Sequence, residues 1–312
     1  MTTREVEHHI DVDAPAAQVY RMIAEVENWP LLFPPSVHVD YVERGESAEL
    51  IRIWATANGE AKSWTSRREL DPAARRITFR QQRSTPPVAA MGGTWIIEET
   101  GPGSARVRLL HDYRAVDDDP AGLQWIDEAV DRNSRSELAA LKSTVEDAAN
   151  RAELILSFTD SVEVDAAAAD LYDFVNEAQH WSDRLPHVAA VDLREDTPGL
   201  QVLRMDTLTK DGGQHTTESV RVCFPHRRIA YKQTLLPALM SLHTGQWDFT
   251  DNGAGGTTAS SQHTVVVNTD NLARVLGADA TVDDARQFLR EALGRNSRAT
   301  LGHAAEYARA RR

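Results

Sequence analysis

Apolar and polar positions along the chain change period in a fixed order, and that order occurs twice. Alternation from Val6 to Val12 predicts a strand. Asp13-Ala14-Pro15 then offers a capping carboxylate and a proline suited to a first helical turn, which predicts a helix over 16–27 and a short helical turn over 29–33. Alternating segments at 37–43, 49–56, 61–70, 76–83, 92–99 and 105–116 predict an antiparallel sheet, with Asn58-Gly59 and Asp71-Pro72 as turns. A helical period over 122–147 closes the pattern. The expectation is an α+β fold in which a curved antiparallel sheet grips a long C-terminal helix, with a cavity between them.

The second pass repeats the first at residue level. IDVDAPAAQVY from Ile10 returns as VEVDAAAADLY from Val162, and RRITFRQ from Arg75 returns as RRIAYKQ from Arg227. Trp29, Trp95 and His111 return as Trp181, Trp247 and His263, and RNSR from Arg132 returns from Arg295 after a short insertion. So long a period marks a duplicated domain. The expected domains are 1–148 and 153–312, each long enough for its own core.

Composition narrows the partners. The 312 residues carry a net charge of −13 with no dense Lys/Arg block, which argues against a nucleic acid or an anionic membrane as the main partner. A single cysteine, Cys223, allows no internal disulfide. The polar N-terminus has no signal-peptide core, and no apolar run reaches the length of a membrane span. A cytoplasmic protein is expected. No cofactor and no metal are expected either: His8-His9 reads as solvent-facing, and Gly253 to Gly256 reads as a turn between strands.

Inward polar residues carry the candidate chemistry. Alternation groups Val107, Leu109, His111 and Tyr113 on one face, and Trp64, Ser66, Arg68 and Leu70 on another. An inward arginine needs a fixed anion or a ligand that supplies one. Histidine can move protons near neutrality. On the long helices, Asn133 and Asn296 interrupt the apolar stripe. Trp29 and Trp181 read as aromatic plugs, Trp95 and Trp247 as core or cavity wall, and Trp54 as an outer-surface or domain-contact residue.

Trp29-Pro30 with Phe33, Trp64 to Arg68, Met91 to Trp95, His111 and the RNSR helix together resemble the aromatase/cyclases of bacterial aromatic polyketide synthases. These are helix-grip proteins related to START and Bet v 1-like folds, and the tandem copies are similar to the di-domain members. The resemblance implies two tandem helix-grip domains that accept a poly-β-ketone tethered to an acyl carrier protein, with other synthase subunits as transient partners. It further implies aldol closure of a first ring between carbons seven and twelve, then dehydration. It places the pocket arginine on Arg68, a neighbouring serine on Ser66 and a polar pocket residue on His111, with Trp29, Trp64, Met91, Trp95 and Asn133 toward the substrate.

In the second copy, one residue inserted before the turn at Asp211-Gly212 pairs Ser66 with Ser219 and Arg68 with Arg221. His263, Trp181, Trp247 and Asn296 complete that set. Val220, Val222 and Phe224 occupy the face opposite Arg221, which leaves its direction open. Two readings stand: an enzyme centred on the first copy, and a START-type carrier that holds a hydrophobic ligand without turning it over.

Overall fold

The computed structural model describes residues 3–57, 59–208, 212–253 and 255–311. Asn58, Asp211 and Ala254, which the sequence places in turns, lie outside the described residues. The chain divides into two compact units, Met1–Asn150 and Arg151–Arg312.

In the first unit β1 (Arg4–Val12) leads into α1 (Ala16–Ala24) and the short α2 (Trp29–Leu32). Six strands follow: β2 (Ser36–Arg44), β3 (Ala48–Ala57), β4 (Glu60–Asp71), β5 (Arg76–Gln81), β6 (Val88–Gly101) and β7 (Ser104–Ala115). The long α3 (Pro120–Glu146) then crosses the sheet. The strand order is β1-β7-β6-β5-β4-β3-β2, antiparallel throughout, so the first strand closes against the last. Val12, Ile77, Trp95, Ile97, Val107 and Leu109 from the sheet pack with Val19 and Ile23 of α1 and with Leu138 and Leu141 of α3. Asp119 caps α3 by accepting a hydrogen bond from the Gly122 N–H, and Pro120 occupies its first turn.

The second unit repeats this plan after α4 (Ala148–Leu154), a helix that spans the stretch between the two expected domains. It comprises β8 (Ile155–Val164), α5 (Ala168–Asn176), α6 (Trp181–Arg184), β9 (Val188–Thr197), β10 (Leu200–Leu208), β11 (Gln214–Phe224), β12 (Arg228–Leu235), β13 (Met240–Asp251) and β14 (Thr257–Val267). The insertion contains α7 (Leu272–Leu276), and α8 (Val282–Ala310) is the long helix, opened by a reciprocal cap between Thr281 and Asp284. Its sheet has the order β8-β14-β13-β12-β11-β10-β9.

Two local expectations are corrected. Pro15, with extended backbone, precedes α1, and no side chain caps that helix; the Asp13 N–H instead donates to Glu146 on α3. The buried stripe of α3 runs through Ile126, Val130, Ser134, Leu138 and Leu141. Steps of four residues carry it past Asn133, which is exposed, to Ser134. The same phase leaves Asn296 only partly buried and turns Ser297 inward on α8.

Candidate functional site

Arg68 enters the interior from β4 and is 2% exposed. Its Nη1 lies 2.8 Å from a Glu49 carboxylate oxygen, and its two Nη groups donate to the carbonyls of Ala24 and Ile23 at the end of α1. The guanidinium also stands over the Trp29 ring, whose Nε1 donates to the Ile23 carbonyl. Glu49 faces Arg68 directly across the β3–β4 ladder. Sequence reasoning missed this carboxylate. With its partner supplied by the protein, Arg68 fastens the end of α1 to the sheet, and Ser66 is buried beside it.

Arg221 resolves the direction left open by the sequence: it points inward, 2% exposed, donates from Nη2 to the Val175 carbonyl at 2.7 Å and stands over Trp181. Its partner across the ladder is Gln201, which carries no charge, and the Arg221 Nη1 has no hydrogen-bond partner. Burial lowers the pKa of both guanidinium groups. Only Arg68 has a buried carboxylate beside it.

His111 faces α3, with Nδ1 3.4 Å from the Ser134 hydroxyl and its ring edge-on to Phe79. Gly93 is its partner on β6, and a Cβ at Gly93 would fall 2.1 Å from the Leu110 carbonyl, so glycine is required for this close approach. Burial, reinforced by His8, lowers the His111 pKa to about 4 and leaves a neutral imidazole at pH 7. Glu137 lies three residues beyond Ser134 on α3. It is half-buried, makes no ion pair among the described residues, and is pushed up to about 7 by burial alone. A carboxylic acid poised at neutrality, one helical turn beyond the serine that His111 approaches, is a group suited to general acid–base work.

The two interiors differ at matching positions. Trp29, Trp64, Phe79, Met91, His111 and Glu137 retain partial exposure inside the first unit. Of their counterparts, Trp181, Thr217, His243, His263 and Thr300 are buried, and Tyr231 is partly exposed. Tyr231 replaces Phe79, His243 replaces Met91 and Ser261 replaces Leu109, and these polar groups each bond to His263. Nδ1 of His263 lies 2.9 Å from Nε2 of His243 and 3.0 Å from the Tyr231 hydroxyl, while its Nε2 lies 2.6 Å from Ser297 and 3.2 Å from Ser261. Burial lowers His263 to about 4 and lowers His243 as well. Ser219 is buried near Arg221, and Trp247 packs in the core. His243, Tyr231 and Ser261 were missed, although alternation back from Trp247 along β13 puts His243 on the inner face.

Other expected residues take up wall positions. Trp95 is buried and stacks on Phe33. Trp64 packs near Ile51 and Ile53. The Met91 sulfur accepts from Gln81. Trp54 lies under Arg52 beside His38. His8, expected to face solvent, instead faces α3 and approaches Asp131 at 2.9 Å, because alternation along β1 places it with Val6 and Ile10. Among the described residues no helix is long and apolar enough to cross a membrane.

Comparison with known proteins gives a consistent result. Residues 3–146 and 156–309 each match the family described as polyketide cyclase / dehydrase and lipid transport. The granaticin polyketide synthase bifunctional cyclase/dehydratase of Streptomyces virginiae is 52% identical over 96% of this chain and 98% of its own length. The corresponding actinorhodin protein of Streptomyces coelicolor is 46% identical over 96% of this chain and 95% of its own. The crystal structure of the di-domain ARO/CYC BexL from the BE-7585A biosynthetic pathway superposes with a TM-score of 0.91 at 68% identity, covering 98% of each chain. That of StfQ from the steffimycin pathway gives 0.89 at 34% identity, covering 98% of this chain and 99% of its own. With both copies matched and relatives aligned along nearly their full length, the chain belongs to the polyketide cyclase/dehydrase family and is a di-domain cyclase/dehydratase enzyme within it.

Proposed function

We propose that this enzyme acts in the cytoplasm on a poly-β-ketone tethered to an acyl carrier protein, closing the first ring between carbons seven and twelve and dehydrating it to an aromatic ring. The observation that carries this reading is the match of the whole chain to cyclase/dehydratase relatives, with Glu137, a carboxyl pushed up to about 7 by burial on the helix that also bears Ser134, as the proton-transfer group. A carrier for a hydrophobic ligand has no need of such a group. The N-terminal interior is the reaction chamber in this reading, because its inward side chains keep partial exposure while those of the C-terminal unit close on one another.

Aldol closure removes a proton from a carbon between two carbonyls, and the resulting enolate carbon attacks a second carbonyl. Glu137 as carboxylate takes that proton, and as acid returns it to the alkoxide oxygen. In dehydration it takes a second α-proton and delivers it to the departing hydroxyl, which leaves as water. Each step returns Glu137 to its starting form. His111, neutral at working pH, orients a carbonyl through a ring nitrogen. Trp29, Trp64 and Met91 restrict how the chain folds, which fixes regiochemistry through one near-attack conformation. Arg68 contributes by holding the end of α1.

Reconstitution with a minimal polyketide synthase tests the assignment. The protein is expected to convert shunt products into a single aromatic product closed between carbons seven and twelve. An unchanged product spectrum, or another ring position, would reject it.

Docking of an acidic carrier protein needs local positive charge on this acidic chain. Of the arginines on and around β4 and β5, Arg67, Arg75 and Arg80 pair with Glu43, Glu99 and Asp112, while Arg76 and Arg83 are exposed without a carboxylate partner among the described residues. Arg76→Glu with Arg83→Glu is expected to slow turnover of tethered substrate and spare a free-chain mimic. Equal loss of both would remove this face from consideration.

A further inference from the structure

The N-terminal unit contains a second histidine that the reaction as described does not use. His8 points inward from β1, opposite Leu109 on β7 and diagonal to His111. Its Nε2 is held 2.9 Å from Asp131, whose carboxylate is exposed to solvent and pairs with Arg135. Its Nδ1 is buried and has no hydrogen-bond partner. One ring thus spans from a solvated carboxylate to an unsatisfied nitrogen beside the chamber. An orphaned buried nitrogen calls for an explanation.

The second unit provides a contrast. The position of His8 is occupied by Asp160 and that of Asp131 by Gly294, and Asp160 is bound by Arg290 and Arg298. That cluster is a fixed ion pair with no ring to pass a proton through. It lies in the unit whose inward side chains are mostly buried, whereas the histidine lies in the unit whose inward side chains keep partial exposure.

We infer that the Asp131–His8 pair is a proton conduit between solvent and the N-terminal chamber, a role that rests on the reading of that chamber as the reaction site. A proton leaving the chamber adds to Nδ1 while the proton on Nε2 passes to Asp131 and its hydration water, so one proton enters the ring as one leaves. Tautomer exchange restores the starting ring. Because each step of the reaction returns Glu137 to its starting form, the conduit works between turnovers: it lets a protonated Glu137 shed its proton to solvent and enter the next cycle as the carboxylate. Charged and titratable groups around His8 are Asp131 and Arg135 on α3, His111 on β7, and, one turn away, the Asp127–Tyr113–Arg4 cluster. His8 is a positioning and relay residue, not one that contacts substrate.

The test is chemical rescue in the reconstituted full-length enzyme. His8→Ala is expected to reduce turnover about tenfold with little change in KM, to make the rate depend on buffer concentration, and to regain activity with added imidazole. Asp131→Asn should reduce turnover less and keep the product unchanged. Full activity of folded His8→Ala would overturn the conduit, as would a loss that imidazole fails to restore at any concentration. His8→Gln, which can keep a hydrogen bond to Asp131 but cannot relay, separates the cases further: recovery of activity in that variant would make the role purely structural. Failure of the wild-type enzyme to form aromatic product would count against the chamber assignment instead.

Discussion

Arg68→Met is expected to destabilise the N-terminal unit by about 3–5 kcal/mol, because it strands a buried carboxylate. Glu49 is only 5% exposed and burial already raises its pKa, so with the cation removed it must either ionise uncompensated or hold a proton. The carbonyls of Ile23 and Ala24 lose their donors in the same substitution. Replacing both partners, Arg68→Met with Glu49→Leu, should recover most of the loss, since the buried charge then disappears altogether. Arg221→Met should cost less than Arg68→Met, because Gln201 leaves no charge behind. Denaturant unfolding of the four proteins decides the matter. Equal losses at Arg68 and Arg221 would show that the carboxylate contributes little, and a double variant no better than Arg68→Met would show that the carbonyl contacts dominate.

Glu137→Gln is expected to lower turnover by about 10²–10⁴ while leaving the fold intact, the usual range for loss of a positioned proton-transfer group. The wild-type pH–rate profile should carry a limb near pH 7 that the variant lacks. Stability should move the opposite way. The folded state holds the Glu137 proton more tightly than the unfolded chain does, so between its ordinary value of 4.5 and about 7 the wild-type protein loses stability as pH rises. Below that window both states are protonated and the variant gains nothing. Above it the buried carboxylate is ionised, and Glu137→Gln should be the more stable protein. A variant that is inactive and also less stable at pH 8 would mean that the carboxyl supports the fold, and that its loss of activity has another cause.

Strand positions were legible in the sequence to a degree that helix positions were not. A period of two leaves no ambiguity once one apolar face is known, so Arg68, Ser66 and His111 were placed inward directly. The helix repeat is not a whole number, and a phase error of one residue exchanged buried Ser134 for exposed Asn133. Glu137 escaped notice because a charged residue on a long helix ordinarily faces water; its place three residues after Ser134 was the available signal. Glu49 could have been found by counting outward from the turn that joins β3 and β4, since pairing Ala57 with Glu60 brings Glu49 opposite Arg68. The hydrogen-bonded cluster around His263 needed three strands and a helix brought together, and no spacing along the chain encodes that.

The exchanges of Phe79 for Tyr231, Met91 for His243 and Leu109 for Ser261 also constrain the route between the two halves in sequence space. In the C-terminal unit all three polar groups converge on His263: Tyr231 and His243 from β12 and β13, and Ser261 from the same strand. His263 has a counterpart, His111, in the N-terminal unit, so any one of the three introduced there meets a ring that can serve as its partner. Removing His263 from the C-terminal unit instead takes a partner from three polar groups at once, at about 1–3 kcal/mol for each one left unsatisfied. The two interiors are thus unequal in tolerance: the C-terminal one hangs on a single histidine, and the N-terminal one can acquire the same polar set one residue at a time.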